Sequence, residues 1–103
     1  MKLNEIRPGM EKIELSVEII NIGEPKEIET HSGLKHVIVE GMIKDDTSTM
    51  GLTVWNDTII ELEKINLGDT VRLINCFITS FKGVLSVNIG RESKIKKNSE
   101  SNA

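Results

Sequence analysis

The chain has 103 residues, a formal net charge of −3 at pH 7 and 38% hydrophobic residues. That length suits one domain with a single core. No run approaches the roughly 20 apolar residues of a membrane span, and no apolar signal segment follows Met1. We therefore expect a cytoplasmic protein without membrane contact. The acidic net charge argues against a strongly basic nucleic-acid binder that contacts only the phosphate backbone.

Alternation of apolar and polar residues predicts five strands, with one helical segment between the third and the fourth. In chain order these are strands at 12–22, 35–44 and 50–56, a helix at 56–65, and strands at 70–80 and 84–90. The alternation breaks at Ile19 and Ile20, where a bulge would let one long strand serve two sheets. The polar residues 23–34 predict a loop or an extended hairpin tip. Residues 94–103 are expected to form a short, disordered polar tail, which leaves residues 1–93 as the domain.

The helical segment carries two local signals. Thr58 and Glu61 fit a capping box at its start. Ile59, Leu62 and Ile65 are spaced three apart and would share one buried stripe. Three strands, a short helix and two further strands, with a long bent first strand, suit an all-β, five-stranded oligonucleotide-binding (OB) barrel. On that barrel, ligands lie across the second and third strands and against the loops that follow the first and fourth.

All three aromatic residues fall on the mixed, polar-containing side of their strands. Trp55 shares a face with Thr53 in the third strand, and in the fourth strand Phe77 and Phe81 share a face with Thr79. The aliphatic sides are expected to form the core. The core-facing sets are Ile74, Cys76 and Ile78 in the fourth strand and Leu85, Val87 and Ile89 in the fifth. Aromatics displayed among polar residues indicate a surface that stacks flat ligands, most commonly nucleic-acid bases.

Stacking contributes about 1–3 kcal/mol per base, so three platforms supply roughly 3–9 kcal/mol. Micromolar binding needs about 8 kcal/mol, so phosphate contacts must add to the stacking. Lys82, Lys35 and Arg91 are the predicted phosphate partners. The residues predicted to hydrogen-bond bases or sugars are Thr30, Thr79, Ser86 and Asn88.

Other chemistry has weaker signals. Cys76 is the only cysteine, so no internal disulfide can form, and we expect a small buried hydrophobe. His31 and His36 could suggest a metal pair, but no further His or Cys completes it, so no metal or cofactor is predicted. His31 could instead contact the ligand from its loop. Asp45 and Asp46 lie in a turn without a nucleophile motif, and no enzymatic activity is predicted.

Four segments together resemble the archaeal single-stranded DNA-binding proteins with a single OB fold. They are residues 28–35 (IETHSGLK), 52–55 (LTVW), 68–71 (GDTV) and 77–83 (FITSFKG). The human single-OB binders and the OB domains of replication protein A are similar, and the resemblance spans residues 3–97. It implies that Trp55, Phe77 and Phe81 stack bases. The crenarchaeal pattern has Trp at the place of Phe77, and stacking should survive that difference.

The resemblance implies a protein that binds single-stranded DNA with little sequence preference and protects it during replication, repair or recombination. We expect a monomer in solution, with replication or repair proteins as partners. Two alternatives stay open. The same fold could bind single-stranded RNA, because stacking does not discriminate between sugars. It could also be an OB subunit that acts mainly in protein–protein assembly, a role that the acidic net charge permits.

Overall fold

The computed structural model describes residues 1–97, and within them the chain forms seven strands and two 3₁₀ helices. In chain order the elements are a 3₁₀ helix Leu3–Glu5, β1 Glu11–Ile22, β2 Lys26–Glu29, β3 Lys35–Lys44, β4 Thr49–Trp55, a 3₁₀ helix Asn56–Lys64, β5 Thr70–Phe81, β6 Val84–Ile89 and β7 Lys94–Lys97. The five predicted strands are present as β1, β3, β4, β5 and β6. The predicted helix lies between β4 and β5, in 3₁₀ form.

The long first strand closes the sheet into a ring. β1 pairs with β5 over its first part and with β3 over its last part, and the strand order β1-β3-β4-β6-β5 returns to β1. Glu18 has partners in both neighbours. The register then shifts between Ile19 and Asn21, which confirms the predicted bulge. A Cβ at Gly41 would collide with the Asn21 carbonyl oxygen, so glycine permits the close approach of β1 and β3 here.

The aliphatic sides of the strands fill the ring, as predicted, with one correction in β5. Leu73 is fully buried and Ile74 only half-buried, so the prediction that Ile74 faces the core is wrong. The cause is a bulge at Asn75, whose φ of 62° lies in the left-handed region. A second irregularity follows at Lys12 of β1, with a φ of 58°. Cys76 is buried, and burial raises the pKa of its thiol to about 12.

Both polar segments contain strands. Residues 26–29 form β2, which pairs with β3, so the predicted loop is an extended hairpin. The prediction of a disordered tail is wrong for Lys94–Lys97, because these residues form β7 along the edge of β5. Ile95 holds β7 in place, since its side chain is only 4% exposed and joins the core. The rest of the predicted tail, residues 98–103, lies outside the described residues.

The predicted capping box is also wrong. The Thr58 hydroxyl donates to the Gly90 carbonyl oxygen at 2.9 Å, and no side chain caps the first turn of the 3₁₀ helix. The predicted apolar stripe is confirmed. Ile65 is buried, while Ile59 and Leu62 pack against the core from partly buried positions. The helix is therefore fixed by its apolar stripe and by the Thr58 bond rather than by a cap.

One carboxylate joins the chain terminus to the β3–β4 turn. Asp45 accepts hydrogen bonds from the Leu3 N–H at 2.8 Å, the Thr47 N–H at 2.7 Å, the Thr47 hydroxyl at 2.6 Å and the Ser48 N–H at 3.1 Å. Burial acts to raise the pKa of Asp45, but these hydrogen bonds outweigh it and lower the pKa to about 2. Leu3, which is 1% exposed, is thereby held against the core.

We expect Asp45→Asn to lower the free energy of unfolding at neutral pH by about 1–2 kcal/mol, a figure discounted for partial exposure. Because the carboxyl has a lower pKa in the folded protein than the ordinary 3.8, its contribution is present above about pH 4. That contribution is lost as the pH falls toward 2, so wild type and variant should converge there. Urea denaturation across this range measures the difference.

Asp46→Asn is the matched control. Asp46 lies next to Asp45 but forms only an exposed ion pair with Lys2, at 2.7 Å. Such pairs contribute about 0–1 kcal/mol. Equal stability of Asp45→Asn and wild type at neutral pH would contradict this role of Asp45.

Candidate nucleic-acid interface

The strand register places all three aromatics on the outer face of β4, β6 and β5. Thr53 pairs with Asn88, and Asn88 pairs with Phe77. Directly paired residues share a face. Every second residue of a strand lies on the same side, so Trp55, two residues after Thr53, and Phe81, four residues after Phe77, share this face as well. Phe77 is 37% exposed, Phe81 is 74% exposed and Trp55 is half-buried. The predicted separation of an aliphatic inside from an aromatic outside is confirmed.

Asn88 lies at the centre of this face and is itself inaccessible. Its Oδ1 accepts the Trp55 indole N–H at 2.9 Å, and its Nδ2 donates to the Thr79 hydroxyl at 3.0 Å and the Ser86 carbonyl at 3.1 Å. The side chain is only 3% exposed, so the Asn88 amide, which was predicted to hydrogen-bond bases or sugars, has almost no accessible surface. These internal hydrogen bonds use the groups that were predicted to bind bases or sugars.

Two residues that the sequence did not single out for this role support Trp55 from the β3 side. The His36 ring meets the Trp55 ring edge-on, with centroids 5.6 Å apart. Asn56 accepts the Val37 N–H at 3.0 Å, so its amide nitrogen is free to donate to Nδ1 of His36 at 2.9 Å. Asn56 has a φ of 49°, and no sequence pattern reveals that conformation. The indole is thus oriented by Asn88 and by His36.

Cationic side chains lie where the aromatics meet the loops. Lys35, His36, Trp55 and Arg91 line a cleft of about 420 Å³. Arg91 also lines a second cleft, of about 340 Å³, together with Phe77. Arg91 therefore lies between Trp55 and Phe77. Within residues 1–97, neither Lys35 nor Arg91 forms an ion pair.

The third aromatic is displayed at the tip of the β5–β6 hairpin. Lys82 and Gly83 have φ of 52° and 81°, as in the two-residue turn that twisted hairpins prefer. Phe81 pairs with Val84, which is 68% exposed, so the tip is apolar on both strands. The Lys82 ammonium lies 5.3 Å from the centre of the Phe81 ring, within cation–π range.

Of the remaining predicted residues, two lie on the aromatic face and one lies in the β2–β3 hairpin. Thr79 and Ser86 lie on the face, where Ser86 shares a hydrogen bond of 3.2 Å with Thr53. Thr30 lies apart from them in the β2–β3 turn. Its hydroxyl is 3.0 Å from that of Ser32 and 3.3 Å from the Leu34 carbonyl oxygen. Of these three residues, the structure places Thr79 and Ser86 on the aromatic face and Thr30 outside it.

Residues 1–97 contain neither a cluster of metal-ligating side chains nor a helix suited to crossing a membrane. No group of three or more His, Cys, Asp or Glu side chains is arranged to hold a metal ion in this part of the chain. Over the same residues, every helix falls short of the length and apolar character needed to cross a bilayer.

A ring of five strands, with β4 and β6 parallel and a short helix between β4 and β5, defines the OB fold. The chain belongs to the family described as single-stranded DNA binding protein Ssb-like, OB fold, which matches residues 6–97.

Individual relatives agree with this assignment. The chain is 30% identical over 99 residues to the single-stranded DNA binding protein Ssb of Saccharolobus solfataricus, a match that covers 96% of this chain and 64% of that protein. The replication factor A related protein from Methanobacterium thermoautotrophicum has the same fold, with a TM-score of 0.82, 20% identity and coverage of 100% of this chain and 94% of that one. DNA binding domain A of Saccharomyces cerevisiae replication protein A also has this fold, with a TM-score of 0.77 and 13% identity. That match covers 100% of this chain and 96% of that one.

We expect Asn88→Ala to release the Trp55 ring and to destabilise the fold. The substitution leaves the indole N–H without its acceptor, and an unsatisfied buried group costs about 1–3 kcal/mol. Trp55 is the only tryptophan, so its emission should shift to longer wavelength as water reaches the ring. Urea denaturation followed by fluorescence measures both effects.

Asn66→Ala is the control, because the exposed Asn66 side chain makes no hydrogen bond within residues 1–97. Its emission and stability should stay close to wild type. An unchanged emission maximum in Asn88→Ala would show that Asn88 does not hold the ring.

Proposed function

We propose that this chain binds single-stranded DNA across the outer face of β4, β6 and β5, with bases stacked on Trp55, Phe77 and Phe81. The observation that carries the proposal is the exposure of Phe77 and Phe81 on the same face as a tryptophan held in a fixed orientation. Large exposed aromatics are costly to leave in water, and every base offers a face to stack on them. Membership of the Ssb-like family and the name of the Saccharolobus relative support the same ligand.

The dimensions of the face suit a short strand. Phe77 and Phe81 are four residues apart on β5, which is roughly 13 Å at 3.3 Å per residue. Trp55 is two strands away, roughly 10 Å across the sheet at about 4.8 Å per strand. Three platforms at these separations fit a site near the low end of the roughly 4–16 nucleotides bound per OB fold.

Local charge compensates for the acidic net charge. Five basic residues form ion pairs within residues 1–97, namely Lys2, Lys26, Lys64, Arg72 and Lys97. Lys35, Lys82 and Arg91 are not among them, and they border the aromatic face. We assign the phosphate contacts to these three. Cationic groups beside the aromatics attract phosphate locally even when the whole protein is acidic.

The proposed role is protection of exposed single strands in replication, repair or recombination by a monomeric, non-catalytic binder. Thr79 and Ser86 are proposed to contact bases or sugars from the aromatic face, and Thr30 is proposed to do so from the β2–β3 hairpin. Replication or repair proteins are the proposed protein partners.

Oligo-dT should quench the fluorescence of Trp55, because a stacked base contacts the ring directly. Phe77→Ala and Phe81→Ala should each weaken binding by about 1–3 kcal/mol, or roughly 5-fold to 150-fold, with Trp55 still present as the reporter. Leu67→Ala is the matched control, since Leu67 is 61% exposed but lies outside the strand face. Its affinity should equal that of wild type.

A titration without quenching and without binding in fluorescence anisotropy would rule the proposal out. Equal affinity for duplex of the same length would remove the preference for single strands. A parallel titration with oligo-rU measures the discrimination between DNA and RNA, which requires a contact to the 2′-OH.

Arg91→Gln should weaken binding of all sequences alike and reduce its salt dependence. Loss of one phosphate contact to a single strand reduces the slope of log K against log salt concentration by about 0.7. Arg72→Gln is the control, because Arg72 is already paired with Glu14 at 2.9 Å and lies outside the aromatic face. An unchanged slope for Arg91→Gln would show that Arg91 makes no phosphate contact.

A further inference from the structure

A carboxylate shares the proposed DNA-binding face, which is unusual for a surface that must accept phosphates. Glu40 on β3 pairs directly with Thr53 on β4, and Thr53 continues the row through Asn88 to Phe77. Directly paired residues point to the same side of the sheet, so Glu40 lies on the side that carries the aromatics. It is also the diagonal neighbour of Trp55, a separation of about 7–8 Å that a long side chain can span.

The charge of Glu40 is balanced without being hidden. The Lys26 ammonium lies 2.7 Å from Oε1 of Glu40, and both side chains are 56% exposed. Within residues 1–97, Oε2 of Glu40 accepts no hydrogen bond. The pair therefore presents one free acceptor oxygen beside the ammonium donors of Lys26 and has no net charge to repel DNA.

We propose that Glu40, held by Lys26, reads the edge of the base stacked on Trp55 and favours cytosine over uracil or thymine. This inference rests on the proposed function. Cytosine offers an amino donor at N4 beside the acceptor N3, which matches the Glu40 oxygen beside the Lys26 ammonium. Uracil and thymine carry a carbonyl oxygen at position 4, so the same carboxylate meets a second acceptor. The protein then binds single strands broadly, with a composition preference at one position.

A purely structural role for the ion pair makes a different prediction. Exposed ion pairs contribute little to stability, and a pair that only decorates the sheet would have no influence on base preference. Base preference is therefore the readout that separates the two roles, and thermal stability is the check that the variants fold.

The experiment compares oligo-dC with oligo-dU of equal length at neutral pH, followed by Trp55 fluorescence and by anisotropy. The two bases differ only at positions 3 and 4 of the ring, so stacking and backbone contacts are matched. Wild type should bind oligo-dC about 5-fold more tightly, the low end of the discrimination given by a good side-chain–base pair. In Glu40→Gln this ratio should fall to about 1, because an amide can donate to the uracil carbonyl as readily as it accepts.

Glu27→Gln is the matched control. Glu27 lies on β2 next to Lys26 but pairs with Val37, so it faces the opposite side of the sheet. The Glu27→Gln substitution removes the same charge and should keep the wild-type ratio of oligo-dC to oligo-dU affinity. A wild-type ratio of 1, or an unchanged ratio in a folded Glu40→Gln, would overturn the assignment of Glu40 while leaving the proposed function intact. Failure of wild type to bind either oligonucleotide would overturn both.

Discussion

The pairing of β1 along both of its edges is the constraint on which the rest of the structure depends. A strand that joins β5 and then β3 closes the sheet, and the bulge between Ile19 and Asn21 allows the chain to turn from one partner to the other. A closed ring has one dry interior, so every strand must direct its aliphatic side inward. The aromatic side chains are placed on the outside by this alternation, at positions that no packing requirement in the core explains.

A polar network inside the outer face converts exposed aromatics into an ordered surface. Asn88 connects Trp55 on β4 with Thr79 on β5, and the His36 ring packs against the indole in a T-shaped arrangement. A ring that is oriented before binding loses little freedom when a base stacks on it. Phe81 differs, because it stands at a hairpin tip and is 74% exposed. The face therefore combines one fixed platform with one that can adapt.

The distribution of charge matters more here than its sum. Ion pairs such as Arg72 with Glu14 and Lys97 with Asp69 neutralise basic residues away from the aromatic face. Lys35, Lys82 and Arg91 border the face and have no such partner within residues 1–97, so an acidic domain can still attract a polyanion locally. The chain spans only 64% of the length of the Saccharolobus relative.

Local patterns in the sequence were enough to predict the five barrel strands, the bulge after Ile19 and the aromatic outer face, because alternation and turn chemistry act between near neighbours in the chain. Only the tertiary structure decided which polar groups are free. Asn88 is consumed by hydrogen bonds from two other strands, and residues 94–97 form a strand because the edge of β5 and a pocket for Ile95 receive them. The bulge at Asn75, which exchanged Ile74 for Leu73 in the core, depends on a left-handed φ at a residue other than glycine. Such features arise from contacts between strands that are distant in the sequence, and the local pattern of residues does not reveal those contacts.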